Sequence, residues 1–153
     1  MIDESKKIDP NEIAGWFAGN AEATALYMSL VEVAHTWDDL VDQDKPVTAD
    51  RINNAFLLCL VAIPSNKVYQ ALFPQLQPLL LTAFTGYVVA NKYEKDKDEH
   101  GIEIAHMLRY SVVQVVTFLI VHFNGVNKAV EILPAALKRM IPERFDDYRK
   151  EHG

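Results

Sequence analysis

Ala21-Glu-Ala-Thr-Ala-Leu-Tyr-Met-Ser-Leu-Val-Glu-Val-Ala-His-Thr-Trp-Asp-Asp-Leu-Val-Asp42 is the stretch whose periodicity decides the fold. Leu26, Leu30, Val33, Trp37 and Leu40 recur at alternating spacings of four and three, the signature of a helix with one core-facing stripe. Glu32, His35, Asp39 and Asp42 follow the same spacing on the same helix. At 100° per residue this polar line falls nearly opposite the apolar stripe, with Asp38 at its flank. A helix patterned this way needs other helices to bury against.

The flanking sequence supplies them. Upstream, Asp9-Pro10-Asn11-Glu12 is a helix start: a capping Asp, Pro at the first helical position and an acid in the first turn. Gly19-Asn20 then breaks that helix and caps the next. Downstream, Pro46 stops the long helix and Thr48 caps another through Ile52, Phe56, Leu57 and Leu60, ending at Pro64. Ser65 is set to cap a further piece, which Pro74 and Pro78 should interrupt or kink. The capping spacing from Asp96 to Glu99 predicts a long helix to about His122, ended by Asn124-Gly125. Shorter helices broken by Pro134 and Pro142 would finish the chain. Runs of strand-type alternation are absent. The expected fold is all-α, a single-domain helical bundle of about six to eight helices over residues 1–153.

Composition narrows the function classes. Half the residues are hydrophobic and 24% are charged, the balance of a soluble globular chain. The formal charge of −6 argues against direct nucleic-acid binding, because phosphate neutralisation needs a basic surface. The polar start, Met1-Ile-Asp-Glu-Ser-Lys-Lys7, lacks the apolar core of a secretory signal. Val112 to Phe123 is the longest apolar segment and falls short of the roughly 20 residues of a membrane span. The lone Cys59 excludes an internal disulfide and reads as a core residue in a reducing compartment, so a cytoplasmic location is expected.

Two constellations could carry chemistry. Asp38 and Asp42 share a helix face with Asp39 beside them, an arrangement suited to a hard cation such as Mg2+, with Glu32 and His35 one turn back. The alternative is a solvated helix end. Acids near the negative end of a helix dipole are unfavourable, so compensation by a cation, by Lys45 or by a partner is expected. The other constellation is a polar line of Glu99, Glu103, His106 and Tyr110, continuing to Gln114 and Thr117 on an otherwise apolar helix. It reads either as an internal hydrogen-bond network or as a pocket wall with Arg109 at its mouth to meet an anion. The paired steps Glu32-x-x-His35 and Glu103-x-x-His106 supply half of a di-iron ligand set. No acid stands between Asp50 and Glu94 to supply the rest.

The run His35-Thr-Trp-Asp-Asp-Leu-Val-Asp-Gln-Asp-Lys-Pro-Val-Thr48 resembles the first aspartate-rich motif, DDxxD, of the helical isoprenoid diphosphate synthases. The resemblance implies that Asp38, Asp39 and Asp42 hold Mg2+ against a diphosphate. The Trp37-Asp38-Asp39 step, Asp44-Lys45-Pro46-Val47 and the run from His100 to Tyr110 also resemble small helical proteins encoded by tailed bacteriophages. That likeness implies a viral protein acting in host cytoplasm or virion.

Three functions are therefore open: a divalent-metal protein that binds or processes a phosphorylated small molecule, a non-enzymatic interaction protein that docks a protein partner or forms a homo-oligomer, and an all-α nucleotide pyrophosphohydrolase.

Overall fold

A computed structural model describes residues 7–153; positions 1–6, most of the polar start quoted above, lie outside the described residues. The protein is all-α, and no strand occurs among the described residues. It falls into two compact helical units, Asp9–Phe73 and Pro74–Gly153.

In the Asp9–Phe73 unit, α1 (Pro10–Trp16) and α2 (Ala21–Asp42) pack around an aromatic corner. The Trp16 and Tyr27 ring centroids stand 5.6 Å apart edge-to-face, with Phe17 at 6.1 Å from Tyr27. Burial pushes the Tyr27 phenol up to about 12. The first three helix starts are those expected: Asp9 accepts from the Asn11 amide, Asn20 from Ala23, and Thr48 from Arg51. Gln43, at φ 54°, closes α2 in the left-handed region.

Helix α3 (Ala49–Leu57) runs on through a π-helical turn, Leu58–Ala62, to Ser65. Asn66 rather than Ser65 caps α4 (Lys67–Ala71), because its Oδ1 accepts from Tyr69 while its Nδ2 donates to the Glu22 carbonyl at 2.8 Å. One side group thus caps α4 and ties it to the start of α2. Cys59 is exposed, against the core position expected for it, since the apolar run around it lines an outward helix face.

In the Pro74–Gly153 unit, the main elements are α5 (Phe73–Asp96), α6 (Glu99–Arg109), α7 (Val113–Met140) and α8 (Phe145–His152). The helical piece begun at Lys67 ends at Ala71 and a new helix starts at Phe73, so the chain is interrupted at Pro74 as expected, whereas Pro78 does not break α5. Pro74 occupies the first turn, where amides lack helical partners anyway, and Pro78 forfeits only one bond just beyond it. Asp96 ends α5, Lys97 turns left-handed at φ 53°, and Asp98, not Asp96, caps α6.

The single long helix expected to His122 is two helices. Tyr110–Val112 forms a tight turn in which the Ser111 hydroxyl donates to the Leu108 carbonyl at 2.7 Å. A Cβ placed on Gly86 would lie 2.9 Å from Ser111 Oγ and 3.4 Å from the Leu108 carbonyl, so this turn packs directly on α5. Gly125, at φ 75° and ψ 166°, leaves helical geometry, so the first helical stretch of α7 ends at Asn124-Gly125 as expected; a second stretch runs on from there to Met140, and Pro134 rides inside it. The core of this unit joins Ala90, Ile102, Ala105 and Tyr148, with Tyr93, Leu108 and Phe145 packed on it. The stretch from Glu99 onward holds a window long and apolar enough to cross a membrane by composition, a test that a core helix of a soluble protein also passes.

Candidate functional site

The polar line of α2 is not a free acidic end. Its carboxylates turn towards the segment that follows, which brings two cations back onto them. Asp39, with a side chain only 12% exposed, is gripped on one oxygen by Lys45 Nζ at 2.9 Å and on the other by Arg51 Nη1. Arg51 Nε reaches Glu32 Oε1 at 3.4 Å, and the buried Thr36 hydroxyl donates to that same oxygen at 3.4 Å. Burial alone would raise the Asp39 carboxyl, but the hydrogen bonds and charges of Lys45 and Arg51 outweigh it and hold it below the usual carboxylate range. His35 lies within the influence of Glu32, Asp38 and Asp39, yet burial dominates and pushes its imidazole below its ordinary value.

Asp38 is half-buried and Asp42 exposed. Beside the cluster, Asp39, Gln43, Asp44, Lys45 and Pro46 line an open groove of about 360 Å³. Among the described residues, no group of three or more His, Cys, Asp and Glu side chains is arranged to hold a metal ion. The compensation expected of Lys45 is present, and Arg51 adds a second partner.

The other constellation is divided by the Tyr110–Val112 turn, so Gln114 and Thr117 belong to a different helix from Glu103 and His106. Arg109 does not wait at a pocket mouth. Its Nε and Nη2 fork onto the two Glu94 oxygens at 2.5 and 2.7 Å, its Nη2 reaches Asn91 Oδ1 at 3.2 Å, and its guanidinium lies 5.3 Å from the Tyr87 ring centroid. The Tyr148 hydroxyl donates to Glu94 as well. Burial works to raise Glu94, but the bonds from Arg109 and Tyr148 hold it below the carboxylate range. Burial and the Glu94 carboxylate together push the Tyr148 phenol up.

His106 sits in an aromatic nest, its centroid 5.0 Å from Tyr148 and 5.5 Å from both Tyr110 and Phe145. The Tyr110 hydroxyl donates to Glu143 at 3.3 Å. Glu99 and Glu103 stand on the surface, engaged by Arg149 at 2.6 Å and His100 at 3.4 Å. A shallow hollow of about 390 Å³ lies alongside His106, Tyr110, Ser111 and Gln114. His35 and His106 belong to different units.

Sequence reasoning missed Arg51, Glu94, Asn91 and Tyr148. Each pairs with a residue in another element, so no local spacing marks it. The one available signal was that Glu94 is the first acid after a long acid-free stretch.

The outward surface is the remaining feature. Phe56, Leu57, Leu60 and Val61 on α3 and its π turn are 61%, 56%, 72% and 53% exposed. These observations define an all-α protein with two internally neutralised polar clusters and a bare apolar helix face. The chain matches no protein-family model, no curated protein and no solved structure.

Proposed function

We propose that this is a non-enzymatic helical interaction protein, one that works through a surface. The observation that carries the reading is the cluster of Phe56, Leu57, Leu60 and Val61, four large apolar side chains more than half exposed on one short helical run. Contiguous apolar surface of this kind marks an interaction site in a folded chain. The acidic helix end supports the reading from the other side: Lys45 and Arg51 of the same unit already meet the charges of Asp39 and Glu32. The resemblance to small helical bacteriophage proteins is compatible with such a role.

A second reading is favoured by the groove beside Asp39. In it Asp38, Asp39 and Asp42, with Glu32 and His35 behind them, take Mg2+ and through it a phosphorylated small molecule. A pyrophosphohydrolase would use the same acids. Either activity needs Asp39 to exchange Lys45 and Arg51 for the metal, against the geometry observed.

Thermal unfolding with and without Mg2+, Mn2+ and diphosphate separates the two. A ligand at a hundred times its dissociation constant adds about 2.7 kcal/mol of stability. The interaction reading expects no such shift. A shift with Mg2+ and diphosphate, abolished by Asp38→Asn with Asp42→Asn, would overturn it.

A further inference from the structure

We infer that α8 is a detachable strap: through Tyr148 it docks on and leaves α5 and α6 as one unit, while α5, α6 and α7 keep their fold. The inference goes beyond the interaction reading and does not depend on it. Composition is its first ground. In Phe145-Asp-Asp-Tyr-Arg-Lys-Glu-His152, every residue but Phe145 and Tyr148 is charged or histidine. Of these 8 residues only Tyr148 is buried, and the Arg144 side chain makes no capping bond at the helix start. Isolated helices shorter than about 12 residues are marginal in water, so α8 is helical because it is docked. The link Ile141–Arg144 is non-helical, with Ile141 held out of helical geometry ahead of Pro142, so α7 does not run into α8.

The docking is concentrated in one side chain. Tyr148 enters a socket formed by Ala90 on α5 with Ile102 and Ala105 on α6. Its hydroxyl donates to Glu94, and its ring centroid stands 5.0 Å from that of His106 and 4.5 Å from that of His152. The remaining ties are peripheral. Arg149 pairs with Glu99 at 2.6 Å between two exposed side chains, a kind of pair that holds little. The Tyr110 hydroxyl meets Glu143 at 3.3 Å, and His152 Nδ1 stands 3.9 Å from Glu94 Oε2.

The socket is built without the strap. Arg109 forks onto both Glu94 oxygens, reaches Asn91 and lies against the Tyr87 ring, all within α5 and α6. The Ser111 turn packs on Gly86 without any residue of α8. When Tyr148 leaves, Glu94 loses a neutral donor but keeps its cation, so opening strands no buried charge. Elements with few buried apolar contacts and exposed ties open at less than the cost of global unfolding. That describes α8, whereas Val115, Val116, Leu119 and Ile120 lock α7 into the interior.

Native-state hydrogen exchange of the full chain, read by mass spectrometry on its fragments, is the test. In the parent protein the amides from Tyr148 to Gly153 should exchange about tenfold or more faster than those from Val115 to Ile120, relative to their unprotected rates. Low urea should barely change the α8 rate, because a local opening exposes little surface. Tyr148→Phe removes a hydrogen bond to a charged group and should speed α8 exchange by roughly tenfold to a hundredfold. Tyr148→Ala should leave α8 unprotected while the amides from Val115 to Ile120 stay protected, because the loss cannot exceed the docking of the strap itself. Equal protection of α8 and α7 in the parent protein would overturn the inference. So would α8 exchange unmoved by Tyr148→Phe, or a Tyr148→Ala chain in which α5 and α7 lose protection together with α8.

Discussion

Arg51 and Asp39 stand 12 positions apart and form a direct ion pair, while Lys45 closes on the other oxygen of the same carboxylate at 2.9 Å. The helix dipole makes a carboxylate at the end of α2 unfavourable. The chain answers by returning a cation from the first turn of α3, so the acidic end becomes the hinge pin of a helix pair. Asp39 is thereby a structural residue first.

Its pH dependence follows. The folded carboxyl is held below the usual range, whereas the unfolded one titrates near ~3.9. The unfolded state therefore takes up the proton first on acidification. The stabilisation is complete above the unfolded value and is lost as pH falls through the folded one. Arg51→Ala should cost about 1–2 kcal/mol at neutral pH, as a part-exposed pair with two acceptors. It should also reduce the steepness of the acid limb. Urea unfolding across the carboxylate range checks both, and an unchanged acid limb would show that Asp39 gains little from Arg51.

Arg109 and Glu94 are a tighter case, with side chains 12% and 10% exposed. Arg109→Met should cost about 3–5 kcal/mol, because it strands a buried carboxylate. Arg109→Lys keeps the charge but cannot fork onto both oxygens, so it should recover only part of that loss. Equal stability of the Lys variant and the parent protein would show that the bidentate geometry contributes nothing.

Gly86 tests the turn that divides α6 from α7. Gly86→Ala gains helix propensity, about 1 kcal/mol on a free helix. Its Cβ, however, would meet Ser111 Oγ at 2.9 Å and the Leu108 carbonyl at 3.4 Å. A net loss of about 1–2 kcal/mol is expected from this crowding. Ser111→Ala in the same chain should return part of it, since the nearer obstacle is removed. A double-mutant cycle by chemical denaturation gives the coupling, and strict additivity would contradict the packing described.

Gln43 ends α2 at φ 54°, a conformation glycine adopts without steric cost. Gln43→Gly should stabilise the protein by about 0.5–1 kcal/mol, offset in part by added freedom of the unfolded chain. A lower melting temperature would mean that the Gln43 side chain makes a contact worth more than the backbone relief.

The helical character and the first three helix starts were legible in the residues alone. Asp9, Asn20 and Thr48 cap where their spacing says they should, because a cap is a bond between neighbours two or three positions apart. Lys45 as a partner for the acidic end was legible for the same reason of proximity. What local pattern could not decide were the events set by distant contacts. Pro78 and Pro134 are tolerated inside helices, and the helix through Tyr110 is broken without Gly or Pro where Ser111 meets Gly86. The polar residues offered as a cation site and an anion site, Asp39 and Arg109, were already committed to Arg51 and Glu94. A partly buried charge is stable only with a partner, and which element supplies that partner depends on how the helices pack.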